Sequence, residues 1–433
     1  MGKSHLSRRE FLKNTGILTS GSFFSSSLLS ISMPHIFEKT EIDSVVISTD
    51  FVSGGGTVNL VNTEPVTLRI KPHNQRSGGW GQVWWYFKVD GIKPGSELTI
   101  QLDIGQPKVA GISPKVHFSY DQQDWGLTNT GKFEVIDGQD FFIYKHIVKS
   151  KSVWFAYDLP YTPVNMDTLL LPRAYEDPTV DVFELCITTN NRSVKSLRFN
   201  CLENPPQKYG IWLQARTHAF ESGSSWVLHE FTDWLLSDDE VARSLRQIAD
   251  ITVVPIVDVD AVVEGRTGKL QAPHDHNRGW DQTPGHWPQT RVTKSTINQL
   301  SKENMIDMFI DFHGPGNESH PYFIIPESEG LPHENQRKNR SSFFELLKAK
   351  PLDEEATQTQ SMTQFHYSAR PWERIAKGNS ASWVTLNGTD NTVALTLEVN
   401  MNTPLSTRSG YRSEAAVLGK ALSKYFVGGY HKK

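Results

Sequence analysis

The sequence predicts an α+β two-domain fold, with an N-terminal antiparallel β-sandwich followed by an α/β domain. Three observations carry this. From about Ile42 to Arg173, short apolar stretches alternate with turn residues and no helical stripe is seen, the pattern of a sandwich. From about Ala174 onward, strand-like and helix-like stretches alternate, the pattern of an α/β sheet. The 433 residues, 37% hydrophobic and 21% charged, have the balance of a globular chain long enough for two or three domains.

The leading segment reads as an address. Ser7-Arg8-Arg9-Glu10-Phe11-Leu12-Lys13 places two adjacent arginines before a weakly apolar, Ser-rich stretch from Ile17 to Ile31. This is the layout of a twin-arginine export signal over residues 1–33, with the mature chain starting near Met33. It implies a periplasmic or secreted protein whose first partner is the twin-arginine export machinery. No cysteine follows the apolar stretch, so no lipid anchor is expected there.

The sandwich is expected over 42–173. Trp80 and Val83 to Phe87 precede Gly91 and Pro94-Gly95, and Leu98 to Leu102 alternates with period two. Val116 to Tyr120 and Val153 to Tyr157 resemble these. The second domain is expected over 174–433. Tyr209 to Leu213 reads as a strand, and Ser224 or Ser225 caps a helix carrying Val227, Leu228, Phe231, Trp234 and Leu235 on one face. Val241, Leu245 and Ile248 continue the helical spacing. Ile251 to Val259 reads as a strand covered on both sides, Met308 to Phe312 and Val393 to Leu397 as further strands, and 411–426 as a closing helix.

Composition excludes several functions. Mean hydropathy is −0.43 and no apolar run of about 18 residues occurs, which argues against a membrane span. A net charge of −4 disfavours nucleic acid as a partner. Two cysteines exclude a disulfide scaffold and a Cys-rich zinc site. Cys186 and Cys201 read as buried fillers, with a disulfide between them open to an exported protein. Any metal must be held by His, Asp and Glu.

Ligands of open α/β sheets gather beyond the carboxyl ends of strands. After the strand ending at Leu213 comes Arg216-Thr217-His218-Ala219-Phe220-Glu221, and His313-Gly314 follows Phe312. Glu398 follows Leu397, and a long loop after Val259 carries Arg266 and Asp275-His276-Asn277-Arg278. A catalytic zinc takes three protein ligands and leaves one position open. His218 and Glu221 alone are weak evidence, because composition yields such a pair about once by chance and His35/Glu38 is another. A distant third histidine, His313, gives the usual two-plus-one layout. Glu398 would be costly at the end of an apolar strand unless paired or functional, and it suits a general base. Asn277-Arg278 offers a fork of donors for a carboxylate. A rival metal set is His274, His276 and His286 with Asp275. Taken singly, each residue also has an ordinary reading: a core histidine, a salt-bridged arginine or a capped strand end.

Arg216-Thr217-His218-Ala219-Phe220-Glu221-Ser222-Gly223-Ser224-Ser225-Trp226 resembles the first zinc motif of the zinc carboxypeptidases, closest to their cytosolic carboxypeptidase-like branch. Ser237-Asp238-Asp239, Asn277-Arg278-Gly279-Trp280 and Thr396-Leu397-Glu398 fit the same branch. So do Trp84-Trp85-Tyr86-Phe87 and Phe155 to Thr162 in the sandwich. The resemblance implies a catalytic domain with a mixed sheet, and one Zn2+ per chain held by His218, Glu221 and His313. It implies Glu398 as general base and later acid, and Arg266 polarising the scissile carbonyl. Asn277 and Arg278 would clamp the substrate's terminal carboxylate, with Arg216 in the substrate-binding set. This sequence departs from the branch at Ala219-Phe220, where Pro-Gly is typical, and at Gly314-Pro315-Gly316.

The resulting expectation is an exported zinc metallocarboxypeptidase acting on peptide or peptide-like substrates. The alternatives are a zinc-dependent esterase or amidase acting on cell-wall or carbohydrate-linked material, and a non-catalytic binding protein on the same fold. Arg370, Trp372, Arg374, Lys377 and Trp383 are expected near the side-chain pocket.

Overall fold

Period-two burial organises the first part of the molecule, in the computed structural model, which describes residues 44–72, 82–105, 111–325, 330–348 and 378–433. The export segment, Trp80, Arg370, Trp372, Arg374 and Lys377 lie outside the described residues. The first ten strands are β1 (Val46–Ser48), β2 (Thr57–Thr63), β3 (Val66–Lys71), β4 (Tyr86–Asp90), β5 (Glu97–Asp103), β6 (His117–Ser119), β7 (Trp125–Leu127), β8 (Lys132–Ile136), β9 (Gln139–Ile147) and β10 (Val153–Ala156). They form two five-stranded sheets, ordered β1-β4-β10-β6-β7 and β2-β3-β5-β9-β8. In β5, Leu98, Ile100 and Leu102 are buried while their neighbours are half-exposed. That alternation marks a strand covered on one face. Phe87 and Val89 of β4 and Phe155 of β10 join them in one core from the other sheet. Pairing is antiparallel except that β3 and β5 run parallel. β4, which lies between them in sequence, belongs to the opposite sheet, so the chain crosses over rather than doubling back.

The expected helix-free stretch up to 173 is corrected at its end. Pro163 opens a helical segment comprising α1 (Pro163–Asn165), a wide turn at Met166–Leu170 and α2 (Leu171–Glu176). Asn165 Oδ1 accepts hydrogen bonds from Thr162 N and Oγ1, closing its start. Met166, Leu170, Leu171 and Ala174 are buried, so this segment packs inward. The division expected at 173/174 falls inside α2.

The remaining elements are β11 (Val180–Ile187), β12 (Ser193–Phe199), β13 (Tyr209–Ala215), α3 (Ser222–Leu235), α4 (Glu240–Arg246), β14 (Ala249–Val254), α5 (Val259–Val263), α6 (Pro288–Lys302), β15 (Met308–His313), β16 (Tyr322–Ile324), α7 (Glu334–Lys348), α8 (Ser380–Asn387), β17 (Val393–Glu398) and α9 (Arg408–Val427). The seven strands form one mixed sheet, β11-β12-β14-β13-β15-β17-β16. Its centre, β14-β13-β15-β17, is parallel, and the flanking pairs are antiparallel. All seven residues of β13 and all six of β15 are buried, as continuous apolar strands covered on both faces should be.

Two expected boundaries move. β14 stops at Val254, because Pro255 has no N–H to donate within a central strand, and Val259 instead opens α5. Helix α3 starts at Ser222, two residues before the earlier of the two serines expected to cap it. Asp158 accepts a hydrogen bond from Gly223 N (3.0 Å), so a carboxylate from just beyond β10 sits at this helix's N-terminus. Cys186 and Cys201 are free thiols.

Candidate metal centre and active site

Parallel strands in one sheet end on the same side, so three neighbours bring three chain segments together. β13 runs into Arg216–Glu221, β15 ends in His313, and β17 ends in Glu398. His313 and Glu398 are register partners across the β15–β17 pair.

The first segment is a tight turn held by its own arginine. Arg216 has φ +62°, a left-handed conformation costly for any residue with a Cβ. Its guanidinium donates to Ala219 O (2.6 and 2.9 Å), Tyr161 O (3.0 Å) and Ser222 Oγ (3.3 Å). Arg216 is 1% exposed, so it is a brace of the turn, where a substrate contact was expected. Gly268, with φ +78°, lies against this turn, and a Cβ there would meet Ala219 N at 2.4 Å. Phe220, fully buried between His218 and Glu221, belongs to the sandwich core together with Tyr157 and Met401.

His218, Glu221 and His313 converge. Their ligand atoms lie within 4.8 Å of one another, and they are the group of that kind found among the described residues. Glu221 Oε1 is 2.9 Å from His218 Nδ1, and Oε2 is 2.8 Å from His313 Nδ1. Ligand atoms about 2.0–2.2 Å from a tetrahedral zinc stand roughly 3.3 Å apart, so a small opening of this triangle accommodates the ion. The far nitrogens point at carboxylates: His218 Nε2 is 2.9 Å from Asp275 Oδ1, and His313 Nε2 is 3.1 Å from Asp311 Oδ2. Thr217 Oγ1 (2.9 Å) and Asn277 Nδ2 (3.0 Å) also contact His313 Nε2. Carboxylates behind both imidazoles fix the tautomer that presents Nδ1 to a metal, the outer arrangement zinc sites use.

Charge agrees with geometry. Burial pushes both histidines down, but Asp275 and Glu221 hold His218 above its ordinary pKa. Asp311 and Glu221 likewise hold His313 well above. Glu221 is opposed by burial but pulled below the carboxylate range by the two histidines. Such a pocket favours a cation, and the donor set of two imidazoles and a carboxylate suits zinc.

Glu398 stands beside this centre. Burial and the neighbouring Glu221 raise its carboxyl to about 6, despite the opposing pull of His313, Lys269 and His218. The residue is half-buried, while its Oε2 is buried with no protein partner. A carboxylate with one buried oxygen lacking a hydrogen-bond partner, next to a candidate metal site, is suited to exchange a proton.

The other expected residues divide. Asn277 is buried, touches His313, and accepts a hydrogen bond from Ser380 N (2.9 Å). Half-buried Arg278 follows it, and its Nη1 donates to Asn277 O (2.7 Å). Arg266 is engaged elsewhere, its Nε 2.9 Å from Glu264 Oε2. The rival histidine set is not assembled. His274 stacks on His286 with ring centres 4.3 Å apart, His276 stacks on Trp287, and Asp275 faces His218. Trp383 is buried on α8, against Trp280.

Sequence reasoning missed the roles of Asp275, Asp311 and Phe220. Asp311 was within reach, since residues two apart on a strand share a face and it precedes His313 by two. Asp275 was read as a rival ligand rather than as the partner of one.

This fold and site define a metal-dependent hydrolase of the two-histidine, one-glutamate type. Residues 173–412 match the zinc carboxypeptidase family, and residues 47–157 match the cytosolic carboxypeptidase N-terminal domain; the chain belongs to the zinc carboxypeptidase family. Mouse cytosolic carboxypeptidase 2 is 26% identical over 285 residues, covering 58% of this chain and 32% of its own length. An uncharacterised Zymomonas mobilis protein is 25% identical over 285 residues, covering 64% of this chain and 70% of its own. The match thus spans about a third of the length of cytosolic carboxypeptidase 2. Among solved structures, a metallo-carboxypeptidase from Burkholderia cenocepacia is similar with a TM-score of 0.70 at 22% identity, covering 89% of this chain and 99% of that one. One from Pseudomonas aeruginosa, in complex with (2-guanidinoethylmercapto)succinic acid, gives 0.69 at 21%, covering 89% and 100%. No described helix is long and apolar enough to cross a membrane.

Proposed function

We propose that the chain is an exported metallocarboxypeptidase that removes C-terminal residues from peptides. The observation that carries this is the convergence of His218, Glu221 and His313, backed by Asp275 and Asp311, with Glu398, whose buried Oε2 has no hydrogen-bond partner, on the adjacent strand. His218, Glu221 and His313 would hold one zinc. Zinc bound there supplies Lewis acidity and lowers the pKa of water at its open position. Glu398 takes a proton from the attacking water, whose oxygen bonds to the last peptide carbonyl carbon. When the C–N bond breaks, Glu398 passes that proton to the leaving amine. Asn277 and Arg278 receive the terminal carboxylate and set the register of the scissile bond. The two arginines at Arg8 and Arg9 support export. Changing both to Lys should retain the protein in the cytoplasm, and unchanged export would remove that part of the reading.

The carboxylate clamp separates a carboxypeptidase from an esterase or amidase. A charge-assisted contact contributes on the order of 2–3 kcal/mol, so Arg278→Ala should lower kcat/KM roughly 30- to 150-fold on peptides with a free C-terminus. The same peptides amidated should be poor substrates that this substitution barely affects. If wild type cleaves amidated peptides or neutral esters as well as free acids, and Arg278→Ala treats them alike, the enzyme is an esterase or amidase.

A further inference from the structure

A carboxylate accepts hydrogen bonds and cannot donate them, so a clamp that uses Asn277 works only with the NH2 end of its amide turned toward the substrate. Two protein donors compete for the amide oxygen: Ser380 N–H and a proton on His313 Nε2. The His313 proton has other acceptors, Asp311 Oδ2 (3.1 Å) and Thr217 Oγ1 (2.9 Å). Ser380 is the first residue of α8, so its N–H has no acceptor within the helix. The oxygen accordingly goes to Ser380 N (2.9 Å), which leaves Asn277 Nδ2 3.0 Å from His313 Nε2. With Nδ1 presented to a metal, Nε2 carries a proton and cannot accept. The amide's donor hydrogens are therefore left for an incoming acceptor.

The start of α8 holds this N–H in place. Asn379 caps the helix, its Oδ1 accepting from Ser382 N (2.7 Å). Ser380 is fully buried, and its Oγ donates to Asp311 Oδ2, the carboxylate behind His313. Trp280 N donates to Gly378 O (2.9 Å), so the loop that carries Asn277 is tied to this segment at a second point. A Cβ on Gly378 would stand 2.9 Å from Asp281 Oδ1 and 3.2 Å from Gly279 N, so the two stretches pass too closely for a larger residue. Ser380 thus reaches the clamp through its N–H and the outer carboxylate of a candidate zinc ligand through its Oγ.

We propose that Ser380 is a positioning residue whose backbone N–H sets the Asn277 amide with its donor end inward, and that this orientation makes the site selective for a free carboxylate. The proposal rests on the carboxypeptidase function proposed above and deepens it. Ser380 acts through Asn277 rather than on the substrate.

Ser380→Pro removes the N–H with little cost to the helix. Proline suits the first helical position, and Asn379, at φ −97° and ψ 164°, already has the extended backbone that a residue before proline prefers. Ser380→Ala keeps the N–H and removes only the bond to Asp311. In zinc-loaded full-length protein, Ser380→Pro should raise KM about tenfold or more for the best-cleaved of a panel of N-acyl dipeptides with free C-termini, because the Asn277 hydrogen bond to a charged group is lost. Ser380→Ala should raise it far less. The product amino acid should bind Ser380→Pro more weakly by a similar factor in calorimetry, a readout that needs no turnover. In an Asn277→Ala background, Ser380→Pro should cost less than about threefold more, since the two residues act as a unit. The full loss persisting there would make Ser380 a general support of the fold and overturn the proposal. Asn277→Asp leaves α8 untouched. It keeps an oxygen for Ser380 N–H but turns another toward the substrate, so it should lose free acids at least as severely as Asn277→Ala. Wild-type affinity in Asn277→Asp would mean that the amide oxygen faces inward, and it overturns the proposal even if Ser380→Pro does not fold. If wild type binds free acids no better than their amides, the function proposed above fails and the positioning role with it. If wild type discriminates and folded Ser380→Pro discriminates equally, the positioning role alone fails.

Discussion

The sandwich and the catalytic sheet solve burial differently. In β3 and β5, every second residue is buried, because solvent reaches one face of the strand. In β13 and β15 every residue is buried, since the sheet is covered on both faces. Polar groups follow suit. The catalytic sheet collects Glu221, Asp275, Asp311 and Glu398 around its carboxyl ends, where loops rather than ladders satisfy the backbone. The two regions meet at Phe220 and Met401, which follow catalytic strands yet pack in the sandwich core. The Arg216–Glu221 turn is thus braced by the Arg216 guanidinium and packed into the sandwich core through Phe220.

Three changes test how far the two regions act separately. The largest effect should come from Glu398→Gln, which touches chemistry alone. It should lower kcat by about 10³ while zinc content and Tm stay near wild type, a loss within the range of general acid–base catalysis. Because Glu398 must be ionised and its carboxyl sits near 6, wild-type kcat/KM should rise with pH through an acid limb at or below about 6. The positive charge of bound zinc moves that limb lower. An unimpaired Gln variant would assign the base elsewhere.

Next is Phe220→Ala, compared with Ile100→Ala. Both empty a buried site and should destabilise, by about 3–5 and 2–5 kcal/mol respectively. Only Phe220→Ala should also weaken zinc, by roughly 10-fold or more, as loss of an orienting neighbour does. Denaturant unfolding of the apo proteins and zinc titration measure the two quantities. Equal zinc affinity in both variants would mean that the sandwich supports the fold and not the site.

The smallest effect is expected from Glu414→Gln. Glu414, on α9, is buried, and its Oε2 accepts a hydrogen bond from Asn400 N (3.1 Å), just past Glu398. Burial raises its carboxyl from 4.5 to about 8. The folded state therefore holds this proton more tightly than the unfolded chain does. That contribution is fully present below about 4.5 and is lost as pH rises through about 8. Gln cannot ionise, so the variant should match wild type near pH 5 and exceed it by about 1–3 kcal/mol at pH 9, judged from the direction of this shift. A constant difference at both pH values would show that Glu414 stays protonated throughout.

The grouping of the candidate site was legible where residue type and strand end coincide. His218, Glu221, His313 and Glu398 follow apolar runs, and burying such groups is costly without a function, so their placement could be argued from the chain alone. The sandwich was equally legible from period-two alternation, and the covered strands from unbroken apolar runs. Sequence also marked the loop that ends in Asn277 and Arg278. Pairings across long separations were decided only by the tertiary structure. Asp275 serves as the outer partner of His218 rather than as a rival ligand, because the loop brings its carboxylate to His218 Nε2. The family resemblance implied a substrate-binding role for Arg216 and a carbonyl-polarising one for Arg266, and an arginine's charge is visible in sequence while its partner is not. In the fold, Ala219, Tyr161 and Ser222 take up the first and Glu264 the second. Phe220 gained its position because hydrogen bonds from Val83 and Trp84 fix Thr267, whose carbonyl accepts from Phe220 N, between two domains. No local pattern encodes that contact, since its energy depends on groups about 180 residues apart in the chain.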